Sequence, residues 1–146
     1  DQLNDAIRRL GLSDIVRIES GITHPQMPNL YGIADLVVQP SHAEGLGLAV
    51  LEALSCGRPV VATAVSGIQE IFASCPDYPL VPARNPAALA DAIVKIAECP
   101  DTRHRLASTG RSLVERSFSI QAMITATENC YLEVLESHGR REDGRQ

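Results

Sequence analysis

The residues best suited to chemistry are two glutamates with seven residues between them. They lie in the run Pro40-Ser41-His42-Ala43-Glu44-Gly45-Leu46-Gly47-Leu48-Ala49-Val50-Leu51-Glu52-Ala53-Leu54. The run leaves an apolar stretch, turns through two glycines and enters a helical pattern. Glu44 therefore stands at a helix mouth and Glu52 about two turns further on. Eight helical residues advance roughly 12 Å, about the reach from a sugar to a ribose across a diphosphate. The mouth itself offers free N–H groups and a positive dipole end to an anion. A carboxylate accepts two hydroxyl hydrogen bonds at once, which suits a vicinal diol.

These residues need a scaffold, and the chain reads as alternating helices and strands. Leu3, Ala6, Ile7 and Leu10 recur at helical spacing before Gly11, and Ile15 to Ile18 reads as a short strand. After the loop Ser20 to Pro25, a short helix spans Pro28 to Ala34. Leu36 to Val38 is a buried strand ending at Pro40, Leu46 to Cys56 a helix closed by Gly57, and Pro59 to Thr63 a second buried strand. A short helix follows near Ile68 to Ala73, then a weak edge strand at Tyr78 to Val81, weakened by its proline. Asn85 caps, and Pro86 opens, a helix to about Glu98. Two more helices cover about Asp101 to Arg116 and Ser119 to Leu135. All-apolar strands between helices predict an α/β fold with a Rossmann-like parallel sheet and helices on both faces. Residues 1–138 form one domain, and 139–146 a polar, disordered tail.

Composition removes several function classes. The net charge is −5 and no basic run is longer than Arg140-Arg141, which argues against nucleic acid as a partner. Aromatic residues are 3%, too few for a stacking platform. There is no C-x-x-C pair, so a zinc site is not expected, and Cys56, Cys75, Cys99 and Cys130 read as reduced, mostly buried thiols of a cytoplasmic protein. No apolar run approaches the length of a membrane span. No Asp-x-Asp pair is present to hold a divalent cation on a diphosphate, so no metal or other cofactor is expected.

Four segments together resemble one family: Leu30 to Ser41, Glu44-Gly45-Leu46-Gly47-Leu48, Leu51-Glu52-Ala53, and Cys56 to Thr63, with Leu80-Val81-Pro82 and Asn85 to Leu89 extending the likeness. They resemble the donor-binding, C-terminal half of the retaining glycosyltransferases of family four, the group 1 glycosyltransferases of the GT-B fold. The resemblance covers roughly Leu3 to Leu135. It implies that Glu44 hydrogen-bonds the donor sugar at the reaction centre and that Glu52 binds the ribose hydroxyls. It gives Gly45, Leu46, Gly47 and Leu48 the turn whose N–H groups meet sugar and diphosphate, and it places Ile22 against the nucleotide base. The implied function is retaining hexosyl transfer from a nucleotide-sugar to a glycan, lipid or small-molecule acceptor.

The chain departs from that family in what precedes Leu3. The Arg and Lys that clamp the diphosphate, the first two strands of the donor domain and the acceptor-binding N-terminal domain would all lie upstream. In the family's sheet order those strands sit between Ile15 and Leu36. The expected consequence is an incomplete C-terminal half of a GT-B fold, with a gap that a strand-swapped second copy could fill, and a chain inactive by itself. The turn before Leu80 is Cys75-Pro76-Asp77-Tyr78-Pro79 rather than glycine-rich. A second reading is a non-catalytic nucleotide-binding or interaction module, and a third a nucleotide-sugar epimerase of the same fold. A phosphorylase would need a cofactor lysine, and Lys95, the sole lysine, sits in a distal helix. His42 could reach a phosphate or acceptor, or be a plain loop residue. Ser66-Gly67 begins a short helix at a strand end, where ligands gather in open α/β sheets.

Overall fold

Strand β2 (Val60–Thr63) is fully buried along its length, and the domain is built around it. It pairs in parallel with β1 (Val37–Gln39) on one side and β3 (Leu80–Val81) on the other, in the order β1-β2-β3. The registers are Val37 opposite Val60 and Ala62 opposite Leu80. The computed structural model describes residues 2–143, with side chains to Ser137.

Helix α1 (Gln2–Arg9) comes first, then a 3₁₀ turn (His24–Gln26) that runs directly into α2 (Met27–Ile33). α3 (Leu48–Ser55) joins β1 to β2, and α4 (Ser66–Ile71) leads from β2 toward β3. α5 (Pro86–Ala97), α6 (Pro100–Ser117) and α7 (Ile120–Asp143) complete the chain. α3 packs on β1, β2, α2 and α6, while α5 packs on β2, β3 and α6. Leu54 of α3, Ile68 and Ile71 of α4, and Leu106 and Leu113 of α6 close the core around Val60 and Val61. α6 meets α3 at Gly110, where a Cβ would lie 2.3 Å from Leu54 Cδ2.

Local sequence explains most element ends. The Asn85 side chain accepts from Ala88 N at 3.0 Å, as its position before Pro86 predicts. Leu89, Ala92 and Ile93 pack on the core beside the buried Ile96. Arg58 opens no site: its Nη1 donates to the Ala34 carbonyl at the end of α2, at 3.2 Å.

Four expectations are corrected. No strand forms at 15–18. Ile15 is 78% exposed, and the N–H groups of Ile15 and Val16 both turn back to the Leu12 carbonyl. A strand cannot hold its shape without a ladder partner, and among the described residues none lies beside 15–18. β1 accordingly shows the open edge: its three residues are only half-buried, whereas β2 is sealed. α3 begins at Leu48, not Leu46, so Glu44 stands four residues ahead of the helix. The last helix continues past Leu135 to Asp143, and residues 144–146 of the expected tail lie outside the described residues. The four cysteines are unpaired; Cys56, Cys75 and Cys99 are half-buried, but Cys130 is exposed.

The segment before β3 has an anchor of its own. Tyr78 stacks on Phe72, ring centroids 4.0 Å apart, and its hydroxyl accepts from Val60 N at 3.0 Å. That bond satisfies the first N–H of the buried central strand. Burial pushes the Tyr78 phenol up to about 12.

Candidate functional site at the mouth of α3

Glu44 is held by the ends of the two longer strands. Its Oε2 accepts from Ser41 Oγ at 2.9 Å and from Gln39 Nε2 at 3.3 Å. Gln39 Nε2 also reaches Ser41 Oγ at 2.8 Å, and Thr63 Oγ1, from the end of β2, donates to the Ser41 carbonyl at 2.6 Å. Oε1 of Glu44 carries no hydrogen bond among the described residues. One carboxylate oxygen is thus fixed and the other is available to a ligand hydroxyl.

The glycine turn that follows is pinned from below by α4. Gly67 N donates to the Glu44 carbonyl at 3.2 Å, and a Cβ on Gly67 would sit 2.4 Å from the Gly45 carbonyl oxygen. Gly67 is therefore where two backbones touch, which explains its place at the head of α4. Gly47 takes φ +78° and packs over Ile68 and Ile71. No side chain caps α3, and its first main-chain hydrogen bond is from Val50 N to the Gly47 carbonyl at 2.9 Å. From Gly45 to Ala49 no main-chain N–H has a partner among the described residues. Unpaired N–H groups at a helix start are chemically suited to an anion.

Glu52 lies on the second turn of α3 and is held by α2. Tyr31 OH donates to its Oε2 at 3.1 Å, and His24 Nε2 lies 3.2 Å from Oε1. A cleft of about 210 Å³ opens here, lined by His24, Met27, Pro28, Tyr31, Glu52 and Cys56 among others. Burial raises the Tyr31 phenol to about 12, and the hydrogen bond and charge of Glu52 add to the shift. The phenol stays protonated and remains a donor at neutral pH.

Ile22 lines a neighbouring open cleft of about 460 Å³ with Gly21, Gln26, Asn29 and Leu30. His42 lines a different one, about 550 Å³, with Thr63 and Arg84 at the strand ends. The structure thus places Glu44, Gly45, Leu46, Gly47 and Leu48 in one turn, Glu52 on the second turn of α3, and Ile22 on the loop that runs into His24.

Sequence reading missed the residues that hold the two carboxylates. Tyr31 and His24 lie 21 and 28 positions from Glu52, so no local pattern links them. The His24 side chain is 84% exposed, yet it meets Glu52. Ser41 did carry a signal: Ser41-x-x-Glu44 has the spacing of a local serine–carboxylate pair.

The family model described as glycosyl transferases group 1 matches residues 1–113. The chain belongs to this family. Among curated relatives, the D-inositol 3-phosphate glycosyltransferase 2 of Catenulispora acidiphila is 35% identical over 136 residues, 92% of this chain and 31% of the relative. The D-inositol 3-phosphate glycosyltransferase of Frankia alni is 41% identical over 99 residues, 68% of this chain and 24% of the relative. The group 1 chain thus spans about a third or less of the relatives it matches. Among solved structures, the sucrose-phosphate synthase of Thermosynechococcus elongatus superposes with a TM-score of 0.81 at 30% identity, covering 93% of this chain and 34% of that one. Anabaena Alr3699/HepE in complex with UDP and glucose superposes at 0.76 and 27%, covering 93% and 36%. The α/β fold with its parallel sheet matches these glycosyltransferase structures, and among the described residues no helix is long and apolar enough to cross a membrane.

Proposed function

We propose that this chain forms the nucleotide-sugar donor site of a hexosyltransferase that transfers its sugar with retention at the anomeric carbon. The observation that carries this reading is the mouth of α3. An uncapped helix start and a glycine turn present unpaired N–H groups between two separately anchored carboxylates. The diphosphate binds the turn and the helix dipole, the ribose diol binds Glu52, and the sugar lies against Glu44. Ile22 meets the base. As the sugar–phosphate bond breaks, positive charge grows on the ring and negative charge on the departing diphosphate. The N–H groups stabilise the second and the Glu44 carboxylate the first. No metal has a part in this scheme. In this reading the acceptor site and a cationic clamp on the diphosphate belong to the part of the relatives' length that this chain does not span.

The Anabaena Alr3699/HepE structure, which was solved in complex with UDP and glucose, supports a donor of this chemical class. The test is to give the intact protein a nucleotide-hexose and an acceptor, and to read the anomeric configuration of the product by proton coupling in NMR. An axial donor giving an axial product supports the reading. An equatorial product, or release of an epimerised sugar-nucleotide without acceptor, overturns it.

A further inference from the structure

The two oxygens of Glu52 are held by unlike partners. Tyr31 is 6% exposed, sits on α2 within the core cluster and donates to Oε2. His24 is 84% exposed at its side chain, lies on a single 3₁₀ turn and meets Oε1. The carboxylate between them is 34% exposed. Tyr31 closes the Oε2 side with a helix behind it, so a hydroxyl arriving from solvent meets the Oε1 side, where the exposed His24 imidazole is the hydrogen-bond partner among the described residues. His24 also lies two residues beyond Ile22, on the loop that would face the base.

We infer that Tyr31 is the positioning residue that fixes Glu52 for the ribose diol, and that His24 is a displaceable stand-in whose place on Oε1 the ribose takes. This rests on the donor reading above. Tyr31 makes no contact with the ligand in this arrangement; it sets the rotamer and plane of the carboxylate. Without it, Glu52 keeps its charge but loses the geometry that distinguishes a ribose from a deoxyribose. His24 adds nothing to affinity, because its contact is given up when the ribose binds.

The experiment measures calorimetric affinities of the intact protein for uridine and guanosine diphosphates, each against its 2′-deoxy counterpart. The ratio of ribo to deoxy affinity cancels any loss of folded protein, so it reports positioning rather than stability. In the unaltered protein the ratio is expected to be about ten or more, the worth of one charge-assisted hydrogen bond. Tyr31→Phe should bring it to within about three-fold of unity, and His24→Ala should leave it intact, with ribonucleotide affinity equal or stronger. Glu52→Gln serves as the control for the donor reading. If Glu52→Gln collapses the ratio and Tyr31→Phe does not, Tyr31 is only a packing residue and the inference fails. A ratio lost in His24→Ala also overturns it, because His24 would then be a ligand contact. A ratio unmoved by Glu52→Gln removes the ribose from Glu52, and the inference falls with the donor reading.

Discussion

Gly67→Ala is the change through which the backbone contact under the turn can be read. The added methyl would stand 2.4 Å from the Gly45 carbonyl oxygen and 2.7 Å from the Glu44 oxygen, where ordinary contact begins at 3.4 Å. Both obstructing atoms are backbone, so no side-chain rotation relieves them. α4 cannot retreat, because Ile68 and Ile71 are sealed in the core. The turn carrying Glu44 must therefore rise by about 1 Å, stretching the bond from Gly67 N to the Glu44 carbonyl. Overpacking of this kind costs about 1–3 kcal/mol of stability. A misplacement of about 1 Å at a reacting group lowers turnover by about 10²-fold. Thermal unfolding and initial rates on the intact protein read the two effects. Gly45→Ala separates them. Its Cβ would meet nothing within 4 Å, so the melting temperature should hold while the methyl intrudes on the proposed diphosphate site and donor affinity falls. A Gly67→Ala protein with unchanged melting temperature and full turnover would refute this account of the turn.

Glu44→Gln keeps the bond from Ser41 but removes the charge facing the sugar. We expect kcat to fall by about 10²–10³-fold with donor KM little changed, measured by steady-state kinetics. Tyr78→Phe leaves the buried Val60 N–H without an acceptor and should cost about 1–3 kcal/mol in denaturant unfolding, without changing nucleotide affinity of the folded protein. The Tyr78 phenol is raised from its ordinary value of 10.0 to about 12. Its folded pKa therefore exceeds the unfolded one, so its contribution is full below pH 10 and is lost as pH rises toward 12. Denaturation midpoints should decline across that window, less steeply in Tyr78→Phe than in the parent chain.

The parts legible in the sequence were those whose physics is local. The turn through Gly45 and Gly47, the cap at Asn85-Pro86 and the sealed strand at Val60 each declare themselves within a few residues. The strand expected at Ile15 did not form, because strand shape depends on a lateral partner rather than on the apolar residues alone. The start of α3 was misplaced by two residues, since Gly47 in a left-handed conformation sets it and an apolar Leu46 does not. The grip of Tyr31 and His24 on Glu52 depends on how the 3₁₀ turn and α2 pack against α3, and the close approach of Gly67 to Gly45 depends on how the head of α4 packs under the turn. Neither leaves a spacing to read. The role of Tyr78 was hidden for the same reason: its partner is the first N–H of a strand eighteen residues earlier.

The central claim is that Glu52 receives the ribose of a nucleotide donor bound at the mouth of α3. It is tested most directly by titrating the intact protein and its Glu52→Ala variant with uridine and guanosine diphosphates, with circular dichroism confirming that both are folded. Losing the hydrogen bonds from the ribose to a carboxylate should weaken binding by about 1.5–3 kcal/mol, roughly 10- to 150-fold in affinity. The Tyr31 hydroxyl loses its partner in free and bound variant alike, so that cost drops out of the difference. Equal affinity in the two folded proteins would contradict the claim and take the ribose away from Glu52.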